Sequence, residues 1–165
     1  MMEKRGVSRE RCLEILSKGG DGVLCTNGAD GFPYAAPVDF ILLDDVIYVH
    51  GRNAGEKLDN VVRDPRVCFT TYTHECYEIT GPETCNVTTD YVSVIVRGRC
   101  SLVTDQAEKE RILFEIVRKL VPEHALGPVN PEKAARTAVF AIALDNVTGK
   151  VHPTTPGNRT APSVH

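Results

Sequence analysis

The chain of 165 residues has no tryptophan, only two methionines, and no apolar run approaching the roughly 18 residues that a membrane-spanning helix needs. No membrane partner is therefore expected. Charge of one sign is also missing: the net charge is −3, with lysines and arginines scattered among acidic residues. Nothing here resembles the basic surface that neutralises a phosphate backbone, so nucleic acid is not an expected partner. The first residues, Met1 to Ser8, are charged and no apolar stretch follows them, which points to a cytoplasmic protein. A Gly-x-Gly-x-x-Gly nucleotide fingerprint is absent, as are a nucleophile elbow and paired carboxylates in apolar settings, so neither a built-in dinucleotide fold nor hydrolysis is supported.

What is present fits one globular domain over residues 1–150, followed by a proline-containing, loosely ordered tail over 151–165. The six cysteines are irregularly spaced and read as free thiols. Cys25, Cys68 and Cys100 fall in apolar strand patterns, where a thiol behaves as a small buried hydrophobe. His74, Cys76 and Cys85, with Cys68, offer metal-ligand types, but their spacing matches no common zinc pattern, and no metal is expected.

Ser8 caps a helix over residues 8–19, stopped by Gly19-Gly20. Short strands follow: Gly22 to Thr26, a glycine-containing turn at 27–31, Phe32 to Leu43, a tight Asp44-Asp45 turn, and Val46 to His50. A short helix ends at Asp64-Pro65, and Arg66 to Thr73 is the fourth strand. His74 to Thr88 reads as a long loop able to act as a lid. Tyr91 to Val103 alternates cleanly, with Gly98 marking a bulge or a sharp coil. A helix over 105–121 begins with Asp105 and Glu108 as a capping box, and Thr137 to Leu144 is the last strand. The result is a mainly β, α+β protein: a six-stranded antiparallel Greek-key barrel with peripheral helices.

Three segments could carry chemistry. In His50-Gly51-Arg52-Asn53-Ala54-Gly55-Glu56-Lys57 a strand ends, turns through glycines and starts a helix, the arrangement that lets backbone N–H groups approach an anion. Lys57 adds a cation, though at the helix end where the dipole disfavours one, and Asp59 could offset it; a solvated lysine beside Asp59 is the alternative. In Gly31-Phe32-Pro33-Tyr34-Ala35-Ala36-Pro37-Val38-Asp39, two prolines remove ladder donors, leaving either an edge strand or backbone free for a ligand. The non-core face of Tyr91 to Gly98 carries a phenol, a hydroxyl and a guanidinium, suited to a ligand, a subunit partner or water.

Taken in order, Gly31-Phe32-Pro33-Tyr34 leading to Pro37, Ile47-Tyr48-Val49-His50-Gly51 leading to Gly55 and Lys57-Leu58-Asp59-Asn60, and Tyr91 to Gly98 resemble the flavin-binding proteins related to pyridoxamine 5'-phosphate oxidase, in the branch that includes the nitroimidazole-resistance proteins. The resemblance spans roughly residues 8–150. It implies an FMN-binding split barrel that forms a homodimer with flavin sites at the interface. By the same resemblance Ala36, Pro37, Val38 and Asp39 line the isoalloxazine, His50, Gly51 and Arg52 with Gly55 lie near the ribityl phosphate, Lys57 binds the phosphate, and Ser93 approaches the flavin. Glu56 departs from the family, many of whose members place a histidine there.

The implied activity is an oxidoreductase in which a transient NAD(P)H reduces FMN and the flavin reduces a small-molecule acceptor such as a nitroaromatic. The alternatives are a non-catalytic flavin or haem carrier and a deazaflavin enzyme. His50, the candidate catalytic residue, could serve as an acid or base, ligate haem, or hold a strand end by a hydrogen bond.

Overall fold

The computed structural model describes residues 6–123, 127–152 and 159–160. The elements are β1 (Gly6–Val7), α1 (Arg9–Lys18), β2 (Asp21–Asn27), β3 (Pro33–Leu43), β4 (Val46–Arg52), α2 (Glu56–Arg63), β5 (Arg66–Ile79), β6 (Val87–Leu102), α3 (Gln106–Leu120), α4 (Pro131–Ala135), β7 (Thr137–Ala143), β8 (Asn146–His152) and β9 (Arg159–Thr160). Local chemistry sets many of the boundaries. Ser8 Oγ accepts from the Arg11 N–H at 3.3 Å, Asp105 accepts from the Glu108 N–H at 2.8 Å, and Asn130 accepts from the Lys133 N–H at 3.0 Å, each satisfying a donor that a helix start leaves open. Asp44 (φ 50°) and Asp45 (φ 59°) form a two-residue turn in the left-handed region, the kind whose twist matches an antiparallel hairpin.

Every strand pair is antiparallel, and the sheet order is β1-β8-β6-β7-β4-β3-β2-β5-β9 with a further β5–β6 ladder. That ladder closes β6-β7-β4-β3-β2-β5 into a ring, so the six-stranded barrel is present and β1, β8 and β9 are additions to it. Leu24, Phe40, Ile47, Val49, Phe69, Val94, Val96, Phe140 and Ile142 fill the interior, with Phe40 and Phe69 edge to face at 4.8 Å. Ile112 and Ile116 of α3 bury a second cluster against Ile41, Tyr48 and Val139 on the outside of the ring. Fully burying a side chain of this size contributes about 1.5–3 kcal/mol. Among the described residues no helix is long and apolar enough to cross a membrane.

Several local expectations change. The segment from His74 to Thr88 is mostly strand: β5 runs to Ile79 and β6 starts at Val87, with a single helical turn over Thr84–Asn86 between them. A register shift between His74 and Cys76 breaks the period-two pattern, which hides the strand in the sequence, while Gly81-Pro82 sits only at the tip. Gly98, expected as a bulge or a sharp coil, pairs with Val67 without a register shift and stands at a corner of the barrel. It is where β6 leaves β8 and takes up β7, and a Cβ there would stand 1.9 Å from the Ala143 carbonyl oxygen. Of the two turn glycines, only Gly31 has positive φ, at 87°; Gly28 is required by close approach, since its Cβ would meet the Phe32 carbonyl oxygen at 2.4 Å.

The expected tail from 151 onward begins inside β8, whose Val151 and His152 pair with Val92 and Tyr91. Gly149, pressed against Cys12 and the Ser93 carbonyl, breaks the apolar alternation of β8 and conceals it. Arg159–Thr160 pairs with Tyr77 and Glu78; the rest of the expected tail lies outside the described residues.

Candidate functional site

The β3–β4 ladder runs only from Leu43–Val46 to Phe40–Val49. Beyond it the two strands part. Pro33 to Asp39 pair with β2, and His50 to Arg52 pair with β7, which leaves two backbone edges facing an opening in the barrel wall. Pro33 and Pro37 fit such an edge, because they bring no N–H that the missing partner would have had to accept. Along this part of β3, Ala35, Pro37 and Asp39 are exposed while Ala36 and Val38 are half-buried toward the interior.

The chain that leaves β4 passes exposed Arg52 and reaches Gly55 at φ 110°, a conformation that favours glycine, before α2 starts. No side chain caps α2, and the first N–H groups returned to its ladder are those of Leu58 and Asp59, both on the Gly55 carbonyl. The N–H groups of Glu56 and Lys57 therefore lie ahead of that ladder, at the positive end of the helix dipole. α2 is tied to β2 by Asn60 Nδ2, which donates to Thr26 Oγ1 at 3.0 Å, and by Arg63, which donates to the Asn27 carbonyl.

Lys57 does not pair with Asp59: among the described residues its ammonium joins no carboxylate. It folds back over the Phe140 ring, 5.1 Å from the centroid, and a Cβ on Gly51 would stand 2.9 Å from it. Burial lowers its pKa, partly countered by Cys100. Gly51 is thus the residue that leaves room for the ammonium. Glu56 and Asp59 carry negative charge in the same first turn, and both are exposed.

His50 lies on the other side of β4. Ile47 and Val49 face the interior and Tyr48 packs under α3, so strand alternation puts the imidazole on the Tyr48 face, away from Lys57. Its Nδ1 is buried and finds no hydrogen-bond partner among the described residues, a costly arrangement for a polar atom. Ser93 is not brought to this opening. It lies on β6, with β5 and β2 between it and β3, about 14 Å away along the sheet at about 4.8 Å per strand.

Ser93 belongs instead to a broad outward face. Pro37, Val23, Thr70, Ile95 and Thr148 stand in one cross-strand row, and Tyr72, Ser93, Lys150 and Gly6 in another. Tyr72 is 56% exposed and Ile95 43%, far more than apolar side chains at a settled sheet surface. Tyr91 stacks on His152 at 6.1 Å, and Tyr72 lies 6.1 Å from Tyr91 and 5.9 Å from His74. Reading the sequence found only the β6 part of this face, because its neighbours belong to the concealed ends of β5 and to β8. Cys25 and Cys68 also lie on the outward side, half-buried, whereas Cys100 points into the core, so only the last fits the reading as a buried hydrophobe.

Comparison with known proteins agrees with this architecture. No curated protein matches the chain. Among solved structures, a protein assigned to 5-nitroimidazole antibiotic resistance from Bacteroides thetaiotaomicron has a TM-score of 0.75 at 22% identity, with 88% of this chain and 87% of that one covered. The flavocytochrome Anf3 of Azotobacter vinelandii has a TM-score of 0.80 at 24% identity, over 95% and 72% of the two chains. An FAD- and heme-binding protein of Mycobacterium smegmatis has a TM-score of 0.80 at 18% identity, over 96% and 77%. At these identities the likeness is one of fold. The pyridoxamine 5'-phosphate oxidase family model matches residues 8–151, which include all six strands of the ring, and the chain belongs to that family.

Proposed function

We propose that the protein is a cytoplasmic flavin-dependent oxidoreductase that binds FMN at the β3–β4 opening as a homodimer. The observation that carries this reading is the unpaired, partly desolvated Lys57 ammonium beside Gly51, next to an uncapped helix start. A phosphate supplies the negative charge that Lys57 lacks, and the N–H groups of Glu56 and Lys57 would donate to it. Gly51 and Gly55 keep side chains out of its way, and Arg52 stands nearby in the same turn.

The free edge of Ala36, Pro37, Val38 and Asp39 would bear the ring system, its carbonyls accepting from the ring N–H and its small residues leaving room for a flat heterocycle. The orphaned His50 Nδ1 is a second unsatisfied group close in sequence to the phosphate contacts. Ser93 is too far along the sheet to join the same site within one chain, so its expected role needs the outward face of a second copy. Exposed Tyr72 and Ile95 give that face the apolar area that a homodimer would bury.

When bound, the flavin supplies two-electron transfer, from a nicotinamide donor to a small acceptor such as a nitroaromatic. The protein's part is to hold the phosphate, to place the ring against the β3 edge and to keep the opening apolar. Purification with intact cofactor, followed by mass measurement of the released small molecule and anaerobic titration with NADH or NADPH, tests the reading. FMN released and its yellow absorbance bleached by the nicotinamide is expected. Released FAD, a deazaflavin or haem would replace FMN in the account, and bound flavin that no nicotinamide reduces would leave a carrier rather than an enzyme.

A further inference from the structure

β2 and β5 place Cys25 and Cys68 directly opposite one another, on the outward side of the barrel. Both are free thiols, and both are half-buried, within reach of small solutes. Opposed residues of an antiparallel pair have Cα atoms about 4.5 or 5.5 Å apart, depending on the hydrogen-bonding class of the pair. Either value lies within the span of about 4.4–6.8 Å that disulfides bridge. The Cβ separation of such a pair, about 4.5–5.5 Å, sits at or beyond the upper end of the disulfide range, so closure requires a small local pinch of the sheet. A bond made under such strain is easily reduced.

The other four cysteines are placed differently. Cys12 and Cys100 are in the core cluster, Cys76 stands opposite Asp90, and Cys85 is in the turn between β5 and β6. The surroundings of the pair also differ in charge. Cys25 and Cys68 line a groove with Arg66, Arg97 and Arg99, and Arg97 is the register partner of Cys68. Asp145 is the one acidic side chain lining that groove. Arg66 is held by Asp64, and among the described residues neither Arg97 nor Arg99 forms an ion pair, with Asp145 or any other carboxylate. An anionic co-reactant would be drawn to such a surface.

We propose that Cys25 and Cys68 form a reversible cross-strand disulfide, with an anionic low-molecular-weight disulfide of the glutathione type as its oxidant. One cysteine, as thiolate, attacks the small disulfide, joins one of its sulfurs and expels the other as a thiolate that takes up a proton. The second cysteine, as thiolate, then attacks the Sγ of the first, making the Cys25–Cys68 bond and expelling the second small molecule as a thiolate that takes up a proton. The pair loses two electrons and two protons, and one small disulfide becomes two thiols. Burial raises the Cys25 thiol above its usual range, with Cys68 adding to the rise, so exchange through Cys25 is faster in alkaline solution. The pairing follows from the β2–β5 register and the anionic oxidant from the arginine-lined groove, and neither depends on flavin binding.

The test uses the full chain, incubated with oxidised glutathione, denatured, alkylated and mapped by mass spectrometry. The number of alkylated thiols should fall from six to four, with a peptide pair joined through Cys25 and Cys68. Excess reduced glutathione should restore six. The variants C25S and C68S should each stop at one glutathione adduct on the remaining cysteine of the pair. Six alkylated thiols after oxidation, a bridge elsewhere, or a stable mixed disulfide on the unaltered protein would each overturn the proposal.

Discussion

The Lys57 ammonium lies 5.1 Å from the centre of the Phe140 ring, a residue more than eighty positions further along the chain. The ring face offers the cation partial compensation for lost water, about 0.5–1 kcal/mol at a partly exposed site, and leaves its charge free for an anion. The residue before Lys57 is the exposed Glu56, which brings no second cation to the same turn.

The space that Gly51 provides should therefore control ligand affinity rather than folding. In G51A the added methyl would sit 2.9 Å from Lys57 Nζ, the mobile end of a flexible side chain, which can move aside. The expected result is a loss of about tenfold or more in FMN affinity, with unfolding free energy changed by less than about 1 kcal/mol, measured by titration and by urea denaturation. Unchanged FMN affinity would separate the Lys57 position from phosphate binding.

Gly98 should behave in the opposite way. Its Cβ would meet backbone, the Ala143 carbonyl oxygen at 1.9 Å, where β6 passes from β8 to β7. G98A should destabilise the fold by at least about 3 kcal/mol in denaturant unfolding, whereas G6A, with nothing within 4 Å, should be close to neutral. Equal stability of the two variants would contradict the close approach at this corner.

Burial lowers the pKa of Lys57, so the folded state holds its proton less firmly than the unfolded chain. Between the folded and unfolded values the unfolded state binds more protons, and stability from this group rises with pH. The cost of the charge is thus present at neutral pH and relieved in alkaline solution. K57M, which keeps packing against Phe140, should unfold at a higher temperature than the ligand-free parent at pH 7, and the gap should narrow by pH 10.5. A gap of constant size would show that the substitution acts through packing alone.

Asp64 joins α2 to β5. Its carboxylate accepts from Arg66 Nε at 2.9 Å, Arg66 Nη2 at 2.7 Å and Asn27 Nδ2 at 2.9 Å, and the Arg66 contacts foremost hold its pKa well below the usual carboxylate range. A depressed folded pKa means stability present above the unfolded value of about 3.9 and lost as the pH falls from there toward the folded one. D64N should unfold more easily at pH 6 and show a shallower loss of stability below pH 4. Parallel acid-denaturation curves for D64N and the parent would rule this out.

The six ring strands were legible in the sequence because β2, β5 and β6 bury alternate residues, as Leu24, Phe69, Val94 and Val96 show, while β4 and β7 are short apolar runs buried between the interior and α3. The ends of β5 and all of β8 were not, since the shift at His74–Cys76 and the side-chain-free Gly149 remove the period that marks a strand. The glycine-bounded segment from His50 to Lys57 could be singled out for the same local reason that makes it a turn. Where its side chains point could not be foreseen: Lys57 turns toward Phe140, His50 to the opposite face, and Ser93 lies three strands from β3. These depend on contacts between distant parts of the chain. The Cys25–Cys68 juxtaposition depends likewise on the β2–β5 register, which no local pattern encodes.

Calorimetric titration of cofactor-stripped protein with FMN and with riboflavin measures the proposed phosphate contact of Lys57 most directly. The parent should prefer FMN over riboflavin by about ten- to a hundredfold, the worth of a charge-assisted contact of about 1.5–3 kcal/mol, and K57A should lose most of that preference while its affinity for riboflavin changes little. Equal affinities for the two ligands in the parent, or a preference that survives in K57A, would contradict it.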